Sequence, residues 1–470
     1  MKPLIVKLEK SNIPSSITTA KKRFSPIKFV IISYLIVILA GAFLLAQPFA
    51  SRANQRTNFI DSLFTSTSAV AVTGLVVKDT STYWSGIGQL IILILIQIGG
   101  LGYITIFTFF FFIFQRKLTL KHELFLQETL NQPTIMEIAK LAKRIFFFVV
   151  IFEGIGAIIL FFRFLNPFKT ANMTFGGIVD SAWKGVFHSL AAFNNAGFDL
   201  TGNFKSLTGY VSDPIINITV TSLVIIGGIG FYVLHDLHQK YRGIKPHLSF
   251  HSRIAIFTTL FLIITGTILI FALEYNNPKT LGQLNLPAKI MASYFQSVTS
   301  RTAGFSTIST SALTNASLLF IVVLMFIGAS PGGTGGGIKT TTFTTIYNYI
   351  RSMIKRKDSV EIGYRRVPYE VVNKAVFIFI ISIAFVFFMT LIISSIEQFY
   401  FVQLFFEVVS AYGTVGLSTG ITPLLSPISK LLISFTMFTG RVGILSIVLL
   451  FSMRLERGKV LLPQEDLTVG

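Results

Sequence analysis

Phe64-Thr-Ser-Thr-Ser-Ala-Val-Ala-Val-Thr-Gly74 is the first of four segments in which an aromatic residue is followed ten positions later by glycine. The others run from Phe187 to Gly197, Tyr294 to Gly304 and Phe406 to Gly416. Their ends read Val72-Thr-Gly-Leu75, Asn195-Ala-Gly-Phe198, Thr302-Ala-Gly-Phe305 and Thr414-Val-Gly-Leu417. The glycines lie 123, 107 and 112 residues apart, so one unit of about a hundred residues recurs along the chain. Each segment is squeezed between two long apolar runs.

A hydrophobic helix, a short re-entrant helix, a glycine-bearing strip and a second hydrophobic helix make a membrane-pore-membrane hairpin. Irregular backbone at membrane depth is tolerated only where it is buried in protein or lines water. Four hairpins around one axis bring four strips to a shared pore, where carbonyl oxygens can replace the hydration shell of a cation. Glycine suits the hinge of such a strip because, without Cβ, it enters left-handed conformations and leaves the pore unfilled. Any one of the 36 glycines reads most simply as a packing or turn residue, but four at matched positions do not. The expected selectivity filter is therefore Val72, Thr73 and Gly74; Asn195, Ala196 and Gly197; Thr302, Ala303 and Gly304; and Thr414, Val415 and Gly416.

Composition agrees with a membrane protein. Of 470 residues 52% are hydrophobic and 13% charged, there are 48 Phe, and mean hydropathy is +0.70. Eight stretches approach the 20 or so apolar residues that cross a bilayer core of about 30 Å. They lie near 29–50, 86–114, 145–166, 215–235, 254–274, 316–350, 375–396 and 428–452, the sixth broken in its middle. The expected fold is all-α and polytopic: four hairpin repeats in pseudo-four-fold symmetry around one pore, with eight transmembrane and four re-entrant pore helices. The repeats are placed at 29–115, 144–238, 253–350 and 374–456, between tails at 1–28 and 457–470.

A net charge of +20 could suggest nucleic acid, but its distribution excludes that reading. The tails and the linkers 116–144, 240–253 and 351–374 hold 27 of the 40 Lys and Arg, and segments on the other side hold 11, Arg301 among them. That asymmetry is the positive-inside rule and predicts a multi-pass protein of the cell membrane, in contact with lipid, with both termini cytoplasmic. No cleavable signal is legible in the polar, basic tail, and the absence of cysteine excludes disulfides and thiol chemistry.

Aligning the four glycines also aligns the helices that follow them. These read Gly99-Gly-Leu-Gly102, Gly227-Gly-Ile-Gly230, Gly328-Ala-Ser-Pro331 and Gly440-Arg-Val-Gly443, small residues that allow close helix packing. In the third copy Gly328, Ser330, Pro331, Gly332, Gly333, Thr334, Gly335, Gly336, Gly337 and Lys339 interrupt a membrane helix, and a flexible loop across the conduction path, beneath the filter, is expected as a gate. A phosphate-binding loop is excluded because neither the Gly-Lys-Ser/Thr ending nor a preceding strand is present. Arg441 replaces a glycine in the fourth copy, and an intramembrane cation must face water or a partner. It is expected opposite the loop, as electrostatic barrier and anchor, neutralised by loop carbonyls or by Glu153. A structural salt bridge is the plainer alternative. Asp79 and Asp199 follow the first two strips and would concentrate cations at the outer mouth, unless they are ordinary loop acids. His235, Asp236 and His238 form a weak metal pattern, better read as an interfacial helix face.

The four strips, Arg301-Thr-Ala-Gly-Phe305, Ser330-Pro-Gly-Gly-Thr-Gly-Gly-Gly-Ile-Lys339 and Gly440-Arg-Val-Gly443 together resemble the Trk/Ktr/HKT superfamily of potassium transporters over nearly the whole chain. With eight spans and no additional amino-terminal pair, the chain is most similar to the Ktr membrane subunit. The resemblance implies a homodimer with one pore per subunit, seated on a cytosolic ring of RCK-type nucleotide-binding subunits. It implies K⁺ as the transported ion, often with Na⁺ dependence, and no cofactor on this chain. Plant relatives with serine at the first filter position favour Na⁺; this chain has Gly74 there, which implies K⁺. A sodium-permeable or Na⁺/K⁺-cotransporting relative is the alternative. An inverted-repeat carrier would usually have two repeats rather than four, and an enzyme would need clustered reactive side chains, which are absent.

Overall fold

Apolar runs fold as helices here, and they come in one order four times. The structure is a computed structural model that describes residues 26–102, 135–165 and 174–452. The carboxy-terminal tail, nearly all of the amino-terminal tail and most of the linker 116–144 lie outside the described residues. The first copy comprises α1 (Pro26–Leu45), α2 (Phe59–Val70) and α3 (Gly86–Leu101). In the second are α4 (Ile135–Leu165), α5 (Phe175–Phe193), α6 (Pro214–Gly228) and α7 (Phe231–Tyr241). The third holds α8 (Phe250–Glu274), α9 (Leu286–Thr299), α10 (Asn315–Phe326) and α11 (Thr340–Ile354). After a small antiparallel hairpin, β1 (Glu361–Ile362) and β2 (Arg365–Arg366), the fourth consists of α12 (Tyr369–Ile396), α13 (Phe401–Gly413), α14 (Pro427–Val442) and α15 (Ile444–Ser452).

Local chemistry starts these helices. Ser85, Asp213, Thr314 and Ser426 each cap the helix that follows a strip, their side-chain oxygens accepting from N–H groups of the first turn. The short helices α2, α5, α9 and α13 are buried toward their carboxyl ends. Each packs on the post-strip helix of the preceding copy: α5 on α3, α9 on α6, α13 on α10, and α2 on α14. The last contact closes the circle between the first copy and the fourth. Lys430 of α14 and Asp61 of α2 seal it with an ion pair at 2.7 Å, each side chain only 13% exposed. Outward faces carry exposed Ile36, Phe43, Phe162, Ile264 and Phe388. Contiguous apolar surface of that kind belongs against lipid rather than water.

The helices after the strips are shorter than the sequence suggests. Among the described residues three helical stretches are long and apolar enough to cross a bilayer: Lys143–Leu165 within α4, α8 and α12. A fourth would be α6 with α7, but these meet at an angle of 97°. The aligned glycines explain this. Gly102, Gly230 and Gly443 have φ of 71°, 102° and 88°, where an L side chain is strained and a glycine is not, so α3, α6 and α14 stop at one equivalent position. Continuous spans at 215–235 and 428–452 are therefore not what forms; beyond Gly102, the rest of 86–114 lies outside the described residues.

Candidate functional site

The four strip glycines meet. A Cβ added to Gly74 would lie 2.5 Å from the Ala196 carbonyl oxygen; one on Gly197 would lie 2.9 Å from that of Ala303, and one on Gly304 2.7 Å from that of Val415. A Cβ on Gly416 would come closest of all, against the carbonyl oxygen of Thr73. The contacts run from the first copy to the fourth and back to the first, so the strips form a closed ring of backbone. Within each strip the backbone alternates in hand: Val72 and Gly74, Asn195 and Gly197, Thr302 and Gly304, Thr414 and Gly416 all have positive φ, and the residue between each pair does not. A left-handed residue other than glycine costs roughly 1–2 kcal/mol, and Val72, at φ 56°, is β-branched as well. Strain repeated at one position in four copies marks a shared demand on the backbone.

That demand concerns carbonyls. The N–H groups of Thr73, Ala196 and Val415 turn back onto the carbonyls of Ser68, Ala191 and Ser410, each at 2.8 Å, and Ala303 does the same to Thr299 at 2.9 Å. Gly74 and Gly416 donate to the hydroxyls of Ser68 and Ser410, both at 3.1 Å. These donors are therefore engaged on the side of α2, α5, α9 and α13, and the strip carbonyls are left to face one another around the ring. The carboxyl ends of α2, α5, α9 and α13 deliver them, and a helix carries its partial negative charge at that end. Outside the ring lies a cavity of about 660 Å³ lined by Gly74, Gly197, Gly304 and Gly416 with Asp199, Lys205 and Lys279.

Beneath the ring sits the segment from Gly328 to Lys339. Its neck is closed by Gly328 N–H donating to Ile338 at 2.9 Å and Ile338 N–H donating to Phe326 at 3.2 Å. The loop fills the space left by the bend between α6 and α7. Ser330 and Thr334 donate to the carbonyls of Gly228 and Gly227, at 3.0 and 3.2 Å, and Phe231 donates to Gly332 at 3.0 Å. On the other side Gly336 N–H donates to the Thr414 hydroxyl at 2.8 Å, and a Cβ on Gly335 would run into the Thr302 hydroxyl. Lys339 Nζ turns back onto the Gly335 carbonyl at 2.7 Å. Above the loop, the Asn195 amide donates to Val224 and Ala192 and accepts from the Thr302 hydroxyl at 3.1 Å.

Arg441 reaches this loop with one arm of its guanidinium, donating to the Thr334 carbonyl; the other arm donates to Gly99 and, at 3.3 Å, Gly100 of the first copy. It is an anchor between two copies, and it forms no salt bridge among the described residues. Loop carbonyls face its charge; Glu153 does not, contrary to that part of the expectation. Glu153 instead accepts from Gln97 at 3.0 Å on both oxygens and from Asn194 at 2.9 Å, next to the strip of the second copy. Asp79 is not a free acid at the mouth either. It is buried, and its oxygens accept from Ser81, Thr82 and, at 2.7 Å, Phe204 N–H, tying the loops of two copies together. Asp199 does line the outer cavity, with one oxygen engaged by Thr201.

His235 lies beside Arg144 and Gln239, and Asp236 accepts from Ser249 N–H at 2.7 Å. Among the described residues no group of three His, Asp or Glu is arranged to hold a metal. Sequence reasoning also counted Arg301 with the outer loops, whereas it is buried behind the third strip, donating to Gly328 at 3.3 Å and Thr259 at 3.4 Å. The matching residues of the other copies, Ala71, Asn194 and Gly413, each three before the ring glycine, are buried too.

Residues 11–462 match the family model TrkH, described as cation transport protein. The chain is 38% identical over 448 residues to Ktr system potassium uptake protein B of Bacillus subtilis, covering 95% of this chain and 97% of that one. It is 35% identical to the potassium/sodium uptake protein NtpJ of Enterococcus hirae, covering 96% and 98%. The crystal structure of the potassium transporter TrkH from Vibrio parahaemolyticus shares the fold, with a TM-score of 0.68 at 18% identity, over 92% of this chain and 86% of that one.

Proposed function

This chain belongs to the TrkH family of cation transport proteins, ion transporters rather than enzymes, and on that premise we propose that it takes up potassium through a pore whose selectivity filter is the ring around Gly74, Gly197, Gly304 and Gly416. One observation carries the reading: four glycines more than a hundred residues apart touch in cyclic order, each preceded two positions earlier by a second left-handed residue. Carbonyls held in that way supply oxygen to a dehydrated cation without any side chain entering the path. The potassium uptake named in the Bacillus subtilis relative supports K⁺ as the ion. A role for Na⁺ is supported by the potassium/sodium uptake named in the Enterococcus hirae relative.

The loop from Gly328 to Lys339 is the gate in this reading, and Arg441 is its latch. Its glycines let it change shape, and its hydrogen bonds to the second and fourth copies keep it across the path. Both termini face the cytoplasm by the charge bias, and the chain works as a homodimer with a cytosolic RCK-type partner on the basic linkers. The word "system" in the Ktr relative's name supports a separate regulatory component.

Uptake of K⁺ or Rb⁺ in cells lacking their own potassium transport tests the proposal, with Na⁺ uptake measured alongside. Wild-type protein restores K⁺ uptake, and substitution at any ring glycine erodes the preference for K⁺. If all four substitutions leave that preference unchanged in assembled protein, the ring is not the filter. Co-purification with a soluble RCK-type protein tests the partner, and full regulation of the chain reconstituted alone would refute it.

A further inference from the structure

Two of the four strips are held, three residues beyond the ring glycine, by a side-chain acceptor at one matched position, and the other two lack it. We propose that His188 and Glu407 are positioning residues that set the ion preference of the pore by clamping the backbone just beyond the ring glycine, an inference that rests on the pore reading above. Each stands nine positions before its ring glycine, on α5 and α13, and each accepts a hydrogen bond from the N–H three positions after that glycine. His188 Nε2 accepts from Leu200 at 3.2 Å, and Glu407 Oε1 accepts from Thr419 at 2.9 Å. The equivalent residues of the other copies make no such bond among the described residues. Thr65 donates its hydroxyl to the Asp61 carbonyl at 2.9 Å, and Phe295 has no acceptor. Since the ring runs in copy order, the clamped copies face each other across one diagonal and the unclamped copies across the other.

The chemistry of each clamp is specified by its surroundings. His188 Nδ1 lies 2.8 Å from the Lys184 carbonyl, which can only accept, so Nδ1 carries the proton and Nε2 keeps its lone pair for Leu200. The imidazole is wedged between Phe164 and Phe305, at ring-centroid distances of 5.2 and 6.4 Å, and Phe305 directly follows the ring glycine of the third copy. Glu407 is 1% exposed and has no cationic partner among the described residues. It accepts instead from Ser418 at 2.6 Å, from Thr422 at 2.9 Å and from the Thr419 hydroxyl at 3.3 Å, in addition to the Thr419 amide. Buried networks with each member satisfied are stiff. Selection between ions that differ by tenths of an ångström depends on where carbonyls can and cannot relax. A strip clamped three residues beyond its hinge is restrained from following the smaller ion.

The test is the ratio of Rb⁺ to Na⁺ uptake per unit of assembled dimer in membranes. His188→Phe gives the second copy the residue of the third, and Glu407→Met removes every acceptor at similar volume; each lowers the ratio about fivefold or more, the worth of one buried hydrogen bond. His188→Gln and Glu407→Gln keep an acceptor for the amide and hold the ratio within about twofold of wild type. An unchanged ratio in assembled Phe and Met variants overturns the proposal, as does an equal loss in the Gln variants. Should the Phe and Met variants fail to assemble, Thr422→Val decides, since it removes the hydroxyl donor to the second Glu407 oxygen and leaves the Gly420 N–H bond to Ser418 in place; a lowered ratio supports the clamp and an unchanged one overturns it. Wild-type protein with no preference for Rb⁺ would instead overturn the filter reading itself.

Discussion

The ring and the layer beneath it solve opposite problems with aligned pieces of one repeat. At the ring four different sequences, Val-Thr-Gly, Asn-Ala-Gly, Thr-Ala-Gly and Thr-Val-Gly, adopt the same alternation of backbone hand. One layer below, the aligned segments part company. Two hold Gly-Gly at the helix end, one becomes a loop, and one carries Arg441. In the proposed reading a cation on the axis would meet only carbonyls at the ring, so side chains there are free to differ provided the backbone does not. A latch, as proposed for Arg441, needs a donor on one side and an acceptor on the other, and identical copies cannot supply both.

The largest effect should come from making the ring unequal. Ala at Gly416 or Ser at Gly74 forces a Cβ onto a neighbouring carbonyl and into a left-handed conformation. A cost of about 1–3 kcal/mol falling on one ion more than another changes the K⁺ to Na⁺ uptake ratio by about tenfold or more. Clearance should order the four alanine variants, with Gly416 the most severe and Gly197 the least; an order unrelated to clearance would break the comparison at its upper half.

Releasing the lower layer comes next. Arg441→Ala frees the Thr334, Gly99 and Gly100 carbonyls together and should raise K⁺ flux severalfold, with the ring and its ion preference intact. Arg441→Lys sharpens the point, because an ammonium is a point charge while the guanidinium spans two copies as a fork. If charge alone is the barrier, lysine matches wild type; if the bridge matters, it falls between wild type and alanine. Deleting Gly332–Gly337 should raise flux at least as much and weaken control by a cytosolic partner. Unaltered flux and regulation after that deletion would show that the loop does not gate.

The smallest effect belongs to the seam that closes the ring of helices. Among the described residues, Lys430→Met leaves Asp61 with only the longer ion pair to Lys78 at 3.7 Å, and should destabilise the fold by about 1–3 kcal/mol. Thermal unfolding in detergent measures this, and the uptake ratio should stay put. A change in ion preference there would mean that the ring and its outer frame are not separable.

Spacing alone disclosed the four copies, the strip residues and the broken third inner helix. Those features are local: a left-handed backbone needs glycine or a tolerated substitute at that position, and a helix cannot run through six glycines and a proline. The stops at Gly102, Gly230 and Gly443 are just as local, since glycine recurs there in three copies, but close helix packing asks for the same small residues, and only the positive φ separates the two roles. Partners were another matter. Arg441 meets Thr334 across 107 positions and Gly99 across 342, Asp79 meets Phe204 across 125, and Glu153 meets Gln97 across 56. No periodicity of helix or strand encodes such distances, because a buried polar group is matched by whatever donor or acceptor the packed copies bring to it. The sequence by itself determined which backbone must bend and where; only the tertiary structure decided which charges answer one another.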